Sequence, residues 1–467
     1  MKLFEDEKTD RAFKRGQWKM LVMTIIGYTL FYCMRKNFSF AMPGLEQDFG
    51  VSKAMLGNCL FAGGIVYGIS KFINGFIGDR VKAKNLFCIG LLVCALVNLA
   101  FGFAPEIAGW IGGGAAGTEC RPHVGAALRA AQISPAFIAL VLGVLLVINQ
   151  LFQGTGFPPC AKLMAYWIPP SELATKQSLW NTSHSIGGGL VAKICGAIMA
   201  LGTIGAMNQG VGQWRWCFWV MAAAGLGGVV LCWFFLPGTP EEEGLPPVPG
   251  TEVRQTEARC PDPRAPSRVN PFRAIFLNPV VIALGLTNLA VNAARALIAD
   301  WGPTMLQEAK HLTSSEAGTS LMFFEFAGIL GMVVGGWVTD RFAGGRVSRV
   351  CVFMMALAAA ALAAFWCLPG GVAATAALCV FGFMLYGPQA LTGVAVTNLC
   401  GKRNAGTSIG YISLYSYIGA SLSGKFCGSL VQSSGGWALP VEMIGATVAI
   451  GALIFACLWR VKADNYG

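Results

Sequence analysis

Charge is what this sequence has least of. Only 12% of its 467 residues are charged, against roughly 25% in an ordinary soluble protein. Too few polar side chains remain to cover a surface facing water. Acidic residues are scarcer than basic ones, 23 against 34, and histidine occurs only three times. The sixteen cysteines show neither a disulfide framework nor the spacing of a metal site. Most lie in apolar runs (Cys59, Cys88, Cys94, Cys232, Cys379 and Cys457), where cysteine acts as a small hydrophobe. Cys120 stands in a proposed loop with no obvious partner, so no structural disulfide is expected. These shortages exclude a soluble enzyme, a disordered tail protein and a disulfide-stapled secreted domain. What the chain does have is 55% hydrophobic residues and a mean hydropathy of +0.59, which indicate a polytopic membrane protein.

A membrane-crossing helix needs about 20 apolar residues. Twelve such windows are found, near 18–42, 55–78, 85–104, 134–158, 177–202, 214–236, 275–299, 316–339, 348–368, 373–397, 406–430 and 438–459. The apolar segment after Lys19 is too long for a cleavable signal, and no small-residue cleavage site follows it. One long polar stretch, 238–272, rich in Pro, Glu and Arg, divides the spans six and six. The predicted organisation is an N-terminal segment 1–17, a bundle 18–237, the linker 238–272, a second bundle 273–460 and a tail 461–467. The basic residues orient it. Only Lys53, Arg121, Arg129, Arg215 and Lys310 fall on one side, and the rest outside the spans fall on the side of the termini. Both termini are therefore expected in the cytoplasm. Most of the net charge of +11 is topology, which leaves no case for nucleic acid.

Six basic residues lie inside spans: Arg35, Lys36, Lys71, Lys193, Arg295 and Lys425. The only comparable acids are Glu325 and, near a helix end, Asp300. An intramembrane charge costs on the order of 3 kcal/mol even on permissive scales, so this excess points to a cavity for an anion. The halves also repeat. Arg35 is followed by Pro43, Gln47 and Asp48, and Arg295 by Pro303, Gln307 and Glu308. Gly75–Arg80, with Asp79-Arg80 at its end, returns as Gly336–Arg341 with Asp340-Arg341. Gly187 with Lys193 matches Gly419 with Lys425. Six spans per repeat give both halves the same orientation about an axis along the membrane normal. Arg35 and Arg295 then stand at equal depth, facing each other. Two rigid guanidinium forks, charged at any working pH, suit a tetrahedral oxyanion. The expected fold class is an all-α membrane protein with twelve transmembrane helices in two pseudo-symmetric six-helix bundles.

Several longer motifs are similar to those of the major facilitator superfamily, and more narrowly of its organophosphate:phosphate antiporters. They are Tyr32-Cys-Met-Arg35-Lys36-Asn37-Phe38, Tyr67-Gly-Ile-Ser-Lys71-Phe72, Phe152-Gln153-Gly-Thr-Gly-Phe-Pro158-Pro159 and Trp180-Asn181-Thr-Ser-His184. The second half adds Arg295-Ala-Leu-Ile-Ala-Asp300-Trp301, Phe324-Glu325-Phe and Tyr386-Gly387-Pro388. The resemblance covers nearly the whole chain. It implies the major facilitator fold, substrate phosphate held by Arg35 and Arg295, and assistance from His184. It also implies an ion-pair network of Lys36, Lys71, Asp300 and Glu325 that rearranges during transport. The nearest branch is that of hexose-phosphate transporters and sensors, through Ala294–Gly302 and Tyr417-Ile-Gly-Ala-Ser421. One group of hexose-6-phosphate carriers has an acid and a base three apart in span eleven, where this chain has Ile409 and Ile412.

Each residue also has a structural alternative. The arginines could pair with helix-end carbonyls or acids. His184 could be a packing histidine, and the bases Lys193 and Lys425 could snorkel to the interface. Tyr32, Tyr67, Tyr386 and Tyr417 could line a cavity and bond a polyol, or simply pack. Gln153, Trp180 and Asn181 take their candidacy from the family. Asp79, Arg80, Asp340 and Arg341 could flank helix ends or hold one side of the molecule shut. The resulting expectation is a monomeric carrier in the inner or plasma membrane that needs no cofactor. It would exchange a sugar phosphate, hexose-6-phosphate or glycerol-3-phosphate, for inorganic phosphate. A membrane sensor of external hexose phosphate is the alternative, and proton symport through Glu325 a further one. No nucleophile, carboxylate pair or metal cluster supports an enzyme.

Overall fold

Helix ends in this chain are marked by short polar residues, proline and glycine. The structure, a computed structural model, describes residues 6–112, 134–204, 212–248, 275–343, 346–400 and 405–461. Helix α1 (Glu7–Phe49) starts on Asp6, whose carboxylate accepts the backbone N–H groups of Lys8 and Thr9. It ends on Gly50 at φ 66°, a left-handed cap that glycine adopts without a Cβ penalty. Its first turns extend well before the apolar window at 18–42, so the chain is already helical where a terminal segment was expected. Helices α2 (Lys53–Arg80) and α3 (Ala83–Gly102) follow, and then a short α4 (Ala104–Ile111) ahead of the fourth apolar window. Residues 113–133 lie outside the described ones, as do 249–274, which include most of the linker 238–272.

The fourth span is two helices, α5 (Pro135–Gln153) and α6 (Phe157–Trp167). The break falls at Gly154-Thr155-Gly156, ahead of Pro158 and Pro159, which lack the N–H needed to continue a helix. Helices α7 (Pro170–Ile204) and α8 (Trp214–Phe235) complete the first bundle. The second holds α9 (Pro279–Lys310), α10 (Ser314–Phe342), α11 (Val347–Cys367), α12 (Val372–Cys400), α13 (Ala405–Ser434) and α14 (Ala438–Cys457). Helix α10 opens on a capping box between Thr313 and Glu316. The chain is an all-α membrane protein of two six-span bundles.

The pseudo-symmetry shows in the packing. In the first bundle α1 packs on α7 and α8, α2 on α5, and α3 on α8. In the second, α9 packs on α13 and α14, α10 on α12, and α11 on α14, which is the same set of pairs. Repeat-related prolines, Pro43 and Pro303, stand inside α1 and α9. Two carboxylates, Asp48 and Glu308, each five positions after its proline, complete the match at the helix ends. Asp48 Oδ2 accepts the Trp214 indole N–H at 2.9 Å, and Glu308 Oε2 accepts that of Trp437 at 2.8 Å.

Among the described residues, nine segments, one of them α5 and α6 taken together, are long and apolar enough to cross a membrane by composition. Helices α1, α2 and α13 are not among them. These three carry Arg35, Lys36, Lys71 and a run of serines and tyrosines, and they line the space between the bundles. Outward-facing positions such as Ile89, Leu92 and Leu96 are large, apolar and exposed, as a surface wetted by lipid requires.

Candidate functional site

We call the face where α1 begins the near face, and the one where it ends the far face. From mid-height to the far face the bundles are pressed together along two crossings. Helix α7 meets α10 at Gly196 and Gly318, where a Cβ on Gly318 would lie 2.2 Å from the Ala192 carbonyl oxygen. Helix α2 meets α13 at Gly428, where a Cβ would lie 2.3 Å from the Lys53 carbonyl oxygen. Only glycine permits either approach. Lys53 adds charge to this closure, pairing with Glu46 of its own bundle at 2.6 Å and with Glu308 of the other at 3.0 Å. The Ala54 N–H donates to Gln432 Oε1 at 3.1 Å.

Lys193 and Lys425 belong to this closure. Lys193 Nζ donates to Thr319 Oγ1 at 2.8 Å, and Lys425 Nζ sits 5.1 Å above the Phe61 ring. Both reach across to the other bundle, a role that the snorkelling reading does not include.

Below the closure lies a cavity of about 330 Å³. Its lining reaches Ile409 and Ser413, in the first turns of α13, so it opens toward the near face. Arg35 from α1 and Arg295 from α9 both line it. Each guanidinium rests on an aromatic ring from its own bundle: Arg35 lies 3.9 Å from the Tyr67 centroid, and Arg295 4.5 Å from that of Tyr386. A cation over a ring face is held without a carboxylate to neutralise it. Arg35 is fixed from behind as well. Asn98 and Asn149 both donate to the carbonyl of Met34, at 3.2 and 3.0 Å, and Asn37 donates to Asn98 Oδ1 at 2.7 Å. Asn37, two residues past Arg35, thus faces the bundle interior while Arg35 faces the cavity.

The remaining charges are unevenly paired. Lys36 bonds Asp300 across the bundles. Glu325, buried, lies 3.7 Å from Arg295 Nη2. Lys71 donates to the Tyr417 hydroxyl at 2.7 Å and lies 4.3 Å from the Phe157 ring. Among the described residues neither Lys71 nor Arg35 has a carboxylate partner. Four cations against two carboxylates leave a surplus of two positive charges, the complement of a phosphate dianion.

His184, Asn181 and Trp180 of α7 line the same cavity, as do Tyr32, Tyr67, Lys71 and Tyr417. The His184 ring stands 5.7 Å from that of Tyr32. Two expected lining residues do not belong to the lining. Gln153 is buried and its Nε2 donates to the Phe31 carbonyl at 2.8 Å, tying the end of α5 to α1. Tyr386 is fully buried beneath Arg295 and supports it from behind. Gln150, one turn before Gln153, faces the cavity instead. Arg80 and Arg341 lie exposed near the ends of α2 and α10; the side chains of Asp79 and Asp340 lie outside the described ones. Composition and motif missed Tyr28, Asn288, Asn292, Gln389 and Ser416, which also line the cavity. The repeat contained a signal for the first three, because they share a helix face with the arginines.

Two bundles closed at one face, with an electropositive cavity between them at mid-height, define a membrane carrier built for an anion. The chain belongs to the Major Facilitator Superfamily, whose family model matches residues 24–424. It is 29% identical over 460 residues to the glycerol-3-phosphate transporter of Bacillus subtilis (strain 168), covering 98% of this chain and 95% of that one. A probable hexose phosphate transport protein of Chlamydia pneumoniae is 29% identical over 487 residues, covering 99% and 95%. The membrane sensor protein UhpC of Salmonella typhimurium is 29% identical over 428 residues, covering 90% and 86%. These relatives match the organophosphate branch that the motifs resemble. They are transporters and a sensor rather than enzymes. Among solved structures, the inward open conformation of the xylose transporter XylE from E. coli shares the fold. Its TM-score is 0.73 at 13% identity, covering 96% of this chain and 98% of that one.

Proposed function

We propose that this protein exchanges a sugar phosphate for inorganic phosphate by alternating access. The observation that carries the reading is the pair Arg35 and Arg295, one from each bundle, in one cavity with two unbalanced positive charges. An empty cavity with that surplus reorients poorly through the low-dielectric core of a membrane, whereas a dianion neutralises it. This favours exchange over one-way transport. Glucose-6-phosphate is the preferred organic substrate in this reading, with glycerol-3-phosphate also accepted. The near face is cytoplasmic, in keeping with the basic residues on that side, and the membrane is the plasma membrane. Lys36–Asp300 and Arg295–Glu325 are the ion pairs that exchange partners when phosphate enters, and the single chain is the working unit.

Purified protein in liposomes loaded with phosphate tests this reading by uptake of labelled glucose-6-phosphate. Uptake that depends on internal phosphate supports it. The similarity to UhpC favours one other reading, a sensor, which would bind glucose-6-phosphate and show no uptake.

The far-face closure makes its own prediction. Lys53→Gln removes the cation that joins Glu46 to Glu308, leaving two carboxylates together. The population open to the far face is expected to rise by about 3- to 10-fold. A single cysteine at Ser421, in a cysteine-free background, would report this through its rate of labelling by an impermeant thiol reagent added on the far side. An unchanged rate would show that Lys53 does not hold the closure.

A further inference from the structure

The pseudo-symmetry that matches the two arginines does not extend to the walls beneath them. Arg35 and Arg295 are 260 positions apart, and the same offset relates Tyr28 to Asn288 and Tyr32 to Asn292. All six line the cavity. On each helix the three positions, spaced by four and three, form one face. That face is Tyr-Tyr-Arg on α1 and Asn-Asn-Arg on α9. A phosphate therefore meets like groups from both bundles, while whatever is attached to it meets an aromatic wall on one side and an amide wall on the other.

Both walls are built rather than incidental. On α1, the Tyr28 ring lies 4.7 Å from Trp180 and 6.4 Å from Tyr32. On α9, Asn288 Nδ2 donates to Ser416 Oγ at 2.6 Å and to the Ile412 carbonyl at 3.1 Å. Asn292 Nδ2 donates to Asn288 Oδ1 at 2.9 Å and to Ser416 Oγ at 3.3 Å. Asn292 Oδ1 accepts no hydrogen bond from the described residues. Gln389, on the same side, has a buried Oε1 with no partner. That side thus presents two free acceptors, Asn292 Oδ1 on α9 and Gln389 Oε1 on α12, and no charge, and Ile409 and Ile412 add none.

We propose that Asn288 and Asn292, held by Ser416, are specificity-determining residues that read the hydroxyls of a hexose ring, and that Tyr28 and Tyr32 take its apolar C–H face. This rests on the phosphate site proposed above. With a rise of about 1.5 Å per residue, Asn292 lies about 4.5 Å and Asn288 about 10.5 Å from Arg295 along α9, toward the mouth. A three-carbon polyol on the phosphate reaches Asn292 alone, whereas a six-carbon sugar spans both.

Isothermal titration of the purified full chain with inorganic phosphate, glycerol-3-phosphate and glucose-6-phosphate tests this, and applies to a carrier and a sensor alike. Asn292→Leu is expected to weaken glucose-6-phosphate by about 10-fold or more and inorganic phosphate by less than about 3-fold, because it leaves sugar hydroxyls without partners. Asn288→Leu should weaken glucose-6-phosphate and spare glycerol-3-phosphate. If a leucine variant yields no folded protein, Ser416→Ala should weaken glucose-6-phosphate relative to phosphate in the same direction. Equal losses for phosphate and sugar phosphate, or no loss for either, would overturn the assignment. Failure of the parent chain to bind phosphate would overturn the site itself, a separate outcome.

Discussion

Exchange is expected to fall to background when either Arg35 or Arg295 is replaced by lysine. The substitution keeps the charge, so the effect isolates what the guanidinium supplies. Arginine offers a planar fork of donors that binds two oxygens at once, where lysine offers a point charge on a flexible stem. Each fork is also set in place by a ring from its own bundle, Tyr67 or Tyr386, and an ammonium on a shorter reach would leave that seat. The loss in phosphate affinity is expected to be on the order of 100-fold, comparable to removing a buried charge-assisted pair. The two variants should differ in one respect. At position 295 the new lysine would stand beside Glu325 and be drawn to it, which makes the loss of phosphate affinity larger in Arg295→Lys. Initial rates of labelled phosphate exchange, normalised to protein in the liposomes, measure both. Near-normal rates in either would remove the two-arginine clamp.

The second large effect is expected at a residue that touches no substrate. Gly318→Val would place a branched side chain where even a Cβ comes within 2.2 Å of the Ala192 carbonyl oxygen. Backbone cannot yield at that crossing without parting α7 from α10. The variant should fold, because in the far-open state those helices separate and the new side chain meets open space. It should then be held open to the far face, with exchange lowered by about 10-fold or more, while phosphate binding persists. Thiol labelling of the Ser421→Cys position from the far side should rise in parallel. Lost exchange without greater far-side labelling would mean that the crossing is not part of the gate.

Much of this molecule could be read from its sequence, for a definite physical reason. Spans that face lipid must be apolar along their whole length, so α3, α8, α11 and α14 are legible as windows. The arginines were legible because a charge inside a membrane is costly and has few innocent explanations. Neutral polar residues cost less and serve structure as readily as function, so composition could not separate them. Gln153 and Gln150 illustrate this: three positions apart on α5, they face a helix backbone and the cavity respectively. Tyr386 carried the family motif, yet acts from beneath Arg295 rather than on the cavity wall. Only the helix rotation fixed by packing decides such cases. The break at Gly154–Gly156 was likewise hidden, because an apolar window counts residues and not hydrogen bonds. Lys193 and Lys425 needed the other bundle in place before their partners Thr319 and Phe61 could be seen.

The most direct test of the central claim is uptake of labelled glucose-6-phosphate into liposomes that carry the purified chain. Uptake into phosphate-loaded vesicles that is absent from phosphate-free vesicles, and absent from the Arg35→Lys protein, is the predicted result. Equal uptake into loaded and empty vesicles, or none into either, would contradict exchange across the two-arginine site.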